Sequence, residues 1–189
     1  MVLDDFLDYL SGFHILSPIG REQVGKVTQC LQLSKGTFLA EEGKICNRMY
    51  FLRKGYARGY HVLDGKEITY WFGFENMIFT SMQSFISQNP TRENIVLMED
   101  SEVLYIQHTD LQELYQHSHE LEHLGRLIDE FYYVLLEERF FSYLFRSAKE
   151  RYDNMVQNTP HIIKRVPLGH VASYLGITQE TLSRIRRKY

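Results

Sequence analysis

Turn signals divide residues 34–108 into short runs rich in tyrosine, phenylalanine, valine and isoleucine. The signals are KG at 35–36, EG at 42–43, KG at 54–55, DG at 64–65, NP at 89–90 and ED at 99–100. The runs between them include RMYFL, ARGYHVL, EITYWF, NIVLM and EVLYI. Such runs predict β-strands, and we expect them to follow one another with no intervening helices. The spacing therefore predicts an antiparallel barrel or sandwich.

Asp64-Gly65 is the strongest of these turn signals. A two-residue hairpin turn of this kind needs positive φ at both central residues, which aspartate and glycine tolerate. We therefore expect ARGYHVL and EITYWF to form one hairpin.

The apolar period becomes helical at about His108. Five apolar residues then follow one another at alternating steps of three and four, which is the spacing of a coiled-coil seam. They are Leu121, Leu124, Ile128, Phe131 and Leu135. Because other apolar residues lie outside this seam, the helix must bury more than one face. The pattern favours one face packed on the β-domain and the seam packed on a second copy of the chain. The alternative is a monomer that buries the helix in its own core.

Shorter helices are predicted on both sides of these two elements. Two amphipathic helices are expected near residues 3–11 and 20–32, before the strands. Another is expected at 147–158, ending before Pro160, and a short connector should follow it.

The charge of the chain is uneven. The net charge is −3, yet the residues from His161 onward carry six lysines and arginines against one glutamate. An acidic body with a basic end indicates contact with a polyanion. The alternative is a solvated helix end whose cations suit the negative end of the helix dipole.

Several classes of protein are excluded by what the sequence lacks. No apolar run is long enough to span a membrane, and the acidic start does not resemble a signal peptide. Cys30 and Cys46 lack the spacing of metal ligands or of a disulfide framework. We therefore expect a cytoplasmic protein with no membrane partner and no bound metal.

The segment VASYLGITQETLSRIRRKY, residues 171–189, divides into a helix, a turn and a second helix. Val171, Ala172 and Leu175 are predicted to face inward on the first helix. Gly176 should end that helix in the left-handed conformation, and Thr178 is placed to cap the next one.

The second helix is predicted to separate apolar from polar side chains. At about 100° per residue, Leu182, Ile185 and Thr181 fall on one side. An arc of about 140° on the other side holds the residue types that read base edges. These residues are Gln179, Glu180, Ser183, Arg184 and Arg187. Glu180 would repel phosphate but can accept a hydrogen bond from cytosine, which favours base reading over a purely electrostatic patch.

The run VPLGHVASYLGITQETLSRIRRK closely resembles the helix-turn-helix of CRP/FNR-type bacterial transcription regulators. The family pattern is roughly IA-x-x-LG-x-T-x-ET-x-SR, and every position is filled here, with Val171 in place of isoleucine. Upstream, GTFLAEEGKICNRMYFLRKGYARGYHVLDGKEITYWF is similar to the cyclic-nucleotide-binding β-roll of that family. EDSEVLYI is similar to its closing strand, so the resemblance covers nearly the whole chain.

The resemblance implies an α+β fold in three parts. Residues 1–115 would form an N-terminal double-stranded β-roll, a jelly roll of the cyclic-nucleotide-binding type, with flanking helices. Residues 116–146 would form the dimerisation helix, and 147–189 a small C-terminal helix-turn-helix domain.

The resemblance also implies partners and contact residues. The partners are double-stranded DNA and a second copy of the chain, with RNA polymerase as a further candidate. The family's base-reading positions fall on Gln179, Glu180 and Arg184. The full set of predicted DNA-binding residues is Thr178, Gln179, Glu180, Thr181, Ser183, Arg184, Arg187 and Lys188. In a twofold dimer, the two reading helices would lie about 34 Å apart, in successive major grooves of a near-palindromic site.

The sequence departs from the family at the ligand site. Cyclic-nucleotide binders of this family carry a Gly-Glu pair before a short helix, then an arginine followed by a small residue. NMIFTSMQSFISQNPTRENIVLM has no Gly-Glu pair, and Arg92 comes one place late with Glu93 and Asn94 after it. A phosphate would lose its cradle and meet an added carboxylate. We therefore expect that cAMP does not bind tightly, and the sequence does not identify another effector or cofactor.

Two features of the sequence allow other interpretations. The family's β-hairpin wing is not found after Tyr189, so the rival function is a ligand-sensing or protein-interaction module whose DNA-reading head has decayed. HELEH at 119–123 fits the zinc-protease pattern H-E-x-x-H, but the seam places both histidines outward, away from any cleft. We expect an ordinary solvated face there, and no enzyme.

Overall fold

The computed structural model describes residues 2–187; Met1, Lys188 and Tyr189 lie outside the described part. The chain divides into two compact units. The β-roll unit contains the residues up to Tyr60 together with Phe72–Glu130. The helical unit contains His61–Trp71 together with the residues from Phe131 onward.

Two four-stranded sheets form the β-roll. Their strands are β1 (Gln29–Leu33), β2 (Phe38–Ala40), β3 (Arg48–Lys54), β4 (Ala57–Leu63), β5 (Lys66–Gly73), β6 (Met77–Phe79), β7 (Asn94–Leu97) and β8 (Ser101–Gln107). The strand orders are β1-β8-β3-β6 and β2-β7-β4-β5, with antiparallel pairing. The predicted fold class, an N-terminal β-roll followed by a long helix and smaller helices, is confirmed.

Nine helices are described within residues 2–187. They are α1 (Val2–Ser11), α2 (Pro18–Val27), α3 (Met82–Ser87), α4 (His108–His117), α5 (His119–Phe145), α6 (Ala148–Asn158), α7 (Pro160–Arg165), α8 (Leu168–Tyr174) and α9 (Gln179–Arg186). None of them is long and apolar enough to cross a membrane.

The paired strands β3 and β8 are buried on both faces. Leu52 pairs with Val103, and both are 0% exposed on one face of the sheet. At the next position Phe51 pairs with Leu104, and both are 1% exposed on the opposite face. Helix α1 covers that face, with the ring of Phe6 centred 5.0 Å from the ring of Phe51. Since successive side chains of a strand point to opposite faces, burial throughout β8 requires a cover on each side.

The five strands predicted from the turn signals are all present, and the Asp64-Gly65 hairpin is confirmed. Asp64 has φ 50° and Gly65 has φ 74°, as a two-residue turn with positive φ at both positions requires. The hairpin joins β4 to β5, and β5 lies at the edge of its sheet.

Three local expectations were wrong. The helix predicted at 20–32 ends at Val27, and Gln29–Leu33 forms strand β1, which pairs with β8. The run of strands is interrupted by α3, at Met82–Ser87, where no helix was expected. The connector after α6 contains the short helix α7, whose first residue is Pro160.

The first part of α5 is fixed within the β-roll unit. Its Glu120 carboxylate accepts hydrogen bonds from the backbone N–H of Ser17, at 2.6 Å, and from the Ser17 hydroxyl, at 2.7 Å. Ser17 in turn caps α2 through the N–H of Gly20. The pKa of Glu120 is lowered because these donors favour its charged form, the backbone N–H most of all.

Candidate nucleic-acid interface

The last four helices form a small core within the helical unit. Helix α6 begins with a capping box, in which Ser147 and Glu150 each accept a hydrogen bond from the other's backbone N–H. The predicted inward residues of α8 are buried, with Val171 0%, Ala172 2% and Leu175 1% exposed. This core is the support on which α9 is positioned.

The turn between α8 and α9 follows from one glycine. Gly176 has φ 67°, in the left-handed region that costs a residue with a Cβ atom. The N–H of Ile177 donates to Ala172 O at 3.0 Å, and the N–H of Gly176 donates to Ser173 O at 3.0 Å. These two bonds are the Schellman pattern that ends a helix, and they confirm the predicted role of Gly176.

Thr178 caps α9, as the sequence predicts. Its φ and ψ are −77° and 159°, and its side chain accepts a hydrogen bond from the N–H of Thr181 at 3.2 Å. The cap satisfies one of the free donors at the start of the helix and so fixes where α9 begins.

Helix α9 separates its apolar and polar sides as predicted. Leu182 is 1% exposed, and Thr181 and Ile185 are half-buried. The exposed residues of the predicted arc, which we call the polar face of α9, are Gln179, Glu180, Ser183, Arg184 and Arg187, and Arg186 is exposed as well. Thr178 is also exposed, and Lys188 lies outside the described residues. The structure thus brings seven of the eight predicted contact residues to one short helix and its cap, while their role in binding stays a prediction.

The charges of the polar face are arranged along the helix. The pKa of the Glu180 carboxyl is lowered, first by a hydrogen bond from its own backbone N–H, then by the Thr178 hydroxyl and by the charge of Arg184. The carboxylate therefore suits the positive end of the helix, while Arg184 stands one turn further along. This order puts an acceptor and a donor side by side on an exposed surface.

Gly169 makes room for the Gln179 side chain. A Cβ atom placed on Gly169 would lie 2.5 Å from Gln179 Nε2. The Gln179 side chain therefore lies directly against α8 at Gly169. Nothing in the local pattern identifies this contact, because Gly169 and Gln179 lie on different helices.

Two arginines hold the last helices against the second half of α5, within the helical unit. The guanidinium of Arg139 lies 4.4 Å from the centre of the Tyr174 ring, a cation–π contact. Arg151 donates to Arg146 O at 2.6 Å and to Leu175 O at 2.9 Å. Arg151 therefore joins the end of α5 to the turn before α9. Neither contact has a signal in the local sequence pattern.

The HELEH segment lies on the first turns of α5. The side chain of His119 is 94% exposed and its Nδ1 lies 3.5 Å from Glu122 Oε2. The ring of His123 packs edge-on against the ring of His14, with centres 5.2 Å apart. Among residues 2–187, no group of three or more histidine, cysteine, aspartate or glutamate side chains could hold a metal ion. The segment therefore does not form the ligand set of a zinc protease.

The region that departs from the cyclic-nucleotide pattern contains a buried carboxyl group. Glu93 is 8% exposed, and its Oε2 has no hydrogen-bond partner. It precedes β7 by one residue and shares the alternation of Ile95 and Leu97, both 0% exposed, so it faces the interior of the roll. Burial raises the pKa of Glu93 to about 7. Arg92, by contrast, is exposed.

Hydroxyl groups line the backbone next to Glu93. Ser81 Oγ and Thr91 Oγ1 are 2.7 Å apart and share a hydrogen bond. The N–H of Glu93 donates to Thr91 Oγ1 at 3.1 Å. These hydroxyls form hydrogen bonds with each other and with the backbone. The Oε2 atom of Glu93 is therefore left without a hydrogen-bond partner.

Comparison with known proteins agrees with this architecture. Residues 30–118 match the family model of the cyclic nucleotide-binding domain. No curated protein matches the chain. Solved structures do match. Their sequence identities to this chain are low, so the similarity concerns the fold alone.

Three of these structures align over most of this chain. A crp/fnr-family transcriptional regulator from Eubacterium rectale aligns with a TM-score of 0.73 at 15% identity, covering 96% of this chain and 87% of that one. FixK2 from Bradyrhizobium japonicum aligns with a TM-score of 0.67 at 19% identity, covering 86% and 84%. The c-di-GMP responsive global regulator CLP from Xanthomonas campestris aligns with a TM-score of 0.63 at 16% identity, covering 88% of both chains. The chain thus has the fold of the CRP/FNR regulators, and these findings support the resemblance that the sequence indicates.

We predict that Glu93 makes the stability of the protein fall between about pH 4.5 and 7. The folded pKa is raised above the model-compound value of 4.5 to about 7, so the native state binds the proton more tightly than the unfolded state. The stability that this protonation contributes is fully present below the pKa of Glu93 in the unfolded state. It is lost as the pH rises through the pKa of Glu93 in the folded state. Glu93→Gln changes the free energy of unfolding at each pH. This change should be more stabilising at pH 8.5 than at pH 5, by about 1–3 kcal/mol.

Urea unfolding at both pH values measures this difference. The matched control is Glu42→Gln, which changes an exposed carboxyl group in a neighbouring loop. An equal effect of both substitutions, or no gain from Glu93→Gln at high pH, would contradict a buried ionised carboxyl at position 93.

Proposed function

We propose that this protein is a sequence-specific DNA-binding transcription regulator of the CRP/FNR type. It acts in the cytoplasm as a homodimer, and each copy reads one half of a near-palindromic site with α9. The observation that carries the proposal is the polar face of α9. Five side chains able to contact DNA are exposed there, while Leu182, on the opposite side of the same helix, is 1% exposed.

The residue types of this face match the edges of bases in the major groove. Arg184 can donate two hydrogen bonds to guanine, Gln179 can pair with adenine, and Glu180 can accept from the cytosine amino group. The short helix is capped at Thr178 and supported by α8, as in a helix-turn-helix. The carboxylate of Glu180 beside Arg184 lowers the attraction to any phosphate, which favours specific over non-specific binding.

The proposed dimer uses the second half of α5. Leu121, Leu124 and Ile128 of the predicted seam are buried within their own chain, at 2%, 4% and 8% exposure. Phe131 and Leu135 are 46% and 41% exposed. The dimer role of these five residues stays a prediction, and the buried ones are not accessible to a partner.

A second set of apolar residues on α5 is more exposed and is spaced for a helix pair. Tyr133, Leu136, Phe140 and Leu144 follow at steps of three, four and four, and are 67%, 65%, 60% and 55% exposed. A monomer that left these side chains in water would expose a large apolar patch. We therefore place the contact with the second copy on this set, which we call the exposed α5 face.

We propose that the β-roll does not respond to cAMP. A cyclic phosphate needs a positive or N–H-rich cradle, whereas Glu93 adds a buried acid group next to Arg92. Helix α3 begins at Met82 with Ser81 before it, where the family's nucleotide binders carry a Gly-Glu pair. We propose no catalytic residue, and RNA polymerase stays a candidate partner to which we assign no surface.

We predict that Arg184→Ala changes the DNA sequence that the protein selects. Selection from a random duplex library should enrich a near-palindrome with wild-type protein. The variant should lose discrimination at one base position in each half-site, by about 1–3 kcal/mol, because it loses one bidentate contact with guanine.

Arg184→Lys is the matched control for charge. Lysine keeps the positive charge but not the planar pair of donors, so it should lose most of the base preference and keep the salt dependence of wild type. If both variants bind every duplex as wild type does, or lose affinity equally on all of them, base reading by Arg184 is wrong.

We predict that the double variant Leu136→Glu/Phe140→Glu is monomeric. The substitutions put two like charges from each copy into the proposed contact, which apolar burial would otherwise stabilise. Sedimentation velocity should show a dimer for wild type and a monomer for the variant. Gln157→Glu, which adds a charge at an exposed position of α6, should stay dimeric. A dimeric double variant would place the interface elsewhere.

We predict a dissociation constant for cAMP weaker than about 1 mM. The lost cradle and the buried Glu93 both disfavour an anionic phosphate. Isothermal titration calorimetry measures this directly at neutral pH, and binding in the micromolar range would show that the β-roll accepts the nucleotide by another arrangement.

A further inference from the structure

One side chain of α8 is hydrogen-bonded to the backbone of the β4–β5 hairpin, within the helical unit. The hydroxyl of Ser173 accepts a hydrogen bond from the N–H of Thr69 at 2.9 Å. The same hydroxyl donates to Glu67 O at 3.1 Å. The Ser173 hydroxyl thus accepts one hydrogen bond and donates another on the same short stretch of strand.

This pairing lies on a strand at the edge of its sheet. Strand β5 ends the order β2-β7-β4-β5, so one side of its backbone has no neighbouring strand. The C=O of a residue and the N–H two residues later point to the same side of a strand. Glu67 and Thr69 have this spacing, and the Ser173 hydroxyl joins them as one residue of a neighbouring strand would. Thr69 is 2% exposed, so its N–H would have little water to replace the hydroxyl.

Ser173 is also close to the start of the candidate reading helix. Its backbone C=O accepts from the N–H of Gly176 in the turn that leads to Thr178, the cap of α9. The next residue, Tyr174, stacks with Arg139 of α5. The end of α8 is therefore held on one side by the hairpin and on the other by α5.

We propose that Ser173 is a positioning residue, which docks α8 on the free edge of the β4–β5 hairpin and so sets the position of α9 for DNA binding. This proposal rests on the proposed function of α9. The contact consists of two hydrogen bonds between one hydroxyl and backbone atoms. Because the partners are backbone groups, the hairpin sequence can vary without losing them.

Hydrogen exchange tests the contact without DNA. In wild-type protein the Thr69 amide should be protected although it lies on an edge strand. Ser173→Ala should raise its exchange rate at least about tenfold, because the acceptor is removed. Ser173→Thr keeps a hydroxyl at the same place and should restore the protection. Exchange at Thr69 that does not differ between wild type and Ser173→Ala would overturn the contact.

DNA binding by the same three proteins tests the positioning role. On the duplex selected by wild type, Ser173→Ala should bind about three- to tenfold more weakly, with the base preference unchanged, and Ser173→Thr should bind as wild type does. If wild type reads DNA and Ser173→Ala binds equally well, the positioning role fails alone. A gain in affinity would overturn it too, by showing that the contact inhibits. If wild type selects no duplex, the proposed function fails, and the positioning role with it, whatever the exchange rate at Thr69.

Discussion

Burial of Leu182 decides which side chains α9 presents. With that residue at 1% exposure, the helix cannot rotate about its axis without exposing a leucine and burying a charge. Thr178 and Gly176 fix where the helix begins, so its phase and its start are both set by local chemistry. The polar face follows from these two constraints, since residues at fixed angular steps must then point outward.

This locality explains what could be predicted from the sequence. The cap, the left-handed glycine and the inward side of α8 each have a signal within a few residues, and each was confirmed. The strands between turn signals were predicted for the same reason. The pattern predicts a continuation of α2 where β1 lies, because a short edge strand with mixed exposure has no strong period of its own. The six-residue helix α3 is likewise too short to show a helical repeat.

Contacts that are distant in the chain had no such signal. Ser173 meets Glu67 and Thr69 across more than a hundred residues, and Arg151 meets Leu175 across 24. Periodicity has a related limit in α5. It showed that the helix buries more than one face, but not which partner covers which face. Leu121, Leu124 and Ile128 are buried within their own chain, and their role in a dimer stays a prediction. The spacing did not separate them from the exposed α5 face.

Protection of guanine N7 from methylation tests most directly whether two copies of α9 read one duplex together. On a duplex selected by the protein, we expect two groups of protected guanines, about 10 base pairs apart and on one face of the helix. Each group should lose its protection with Arg184→Ala, since arginine contacts guanine at N7 and O6. A single protected group, or weak protection spread over the whole duplex, would contradict reading by a twofold dimer.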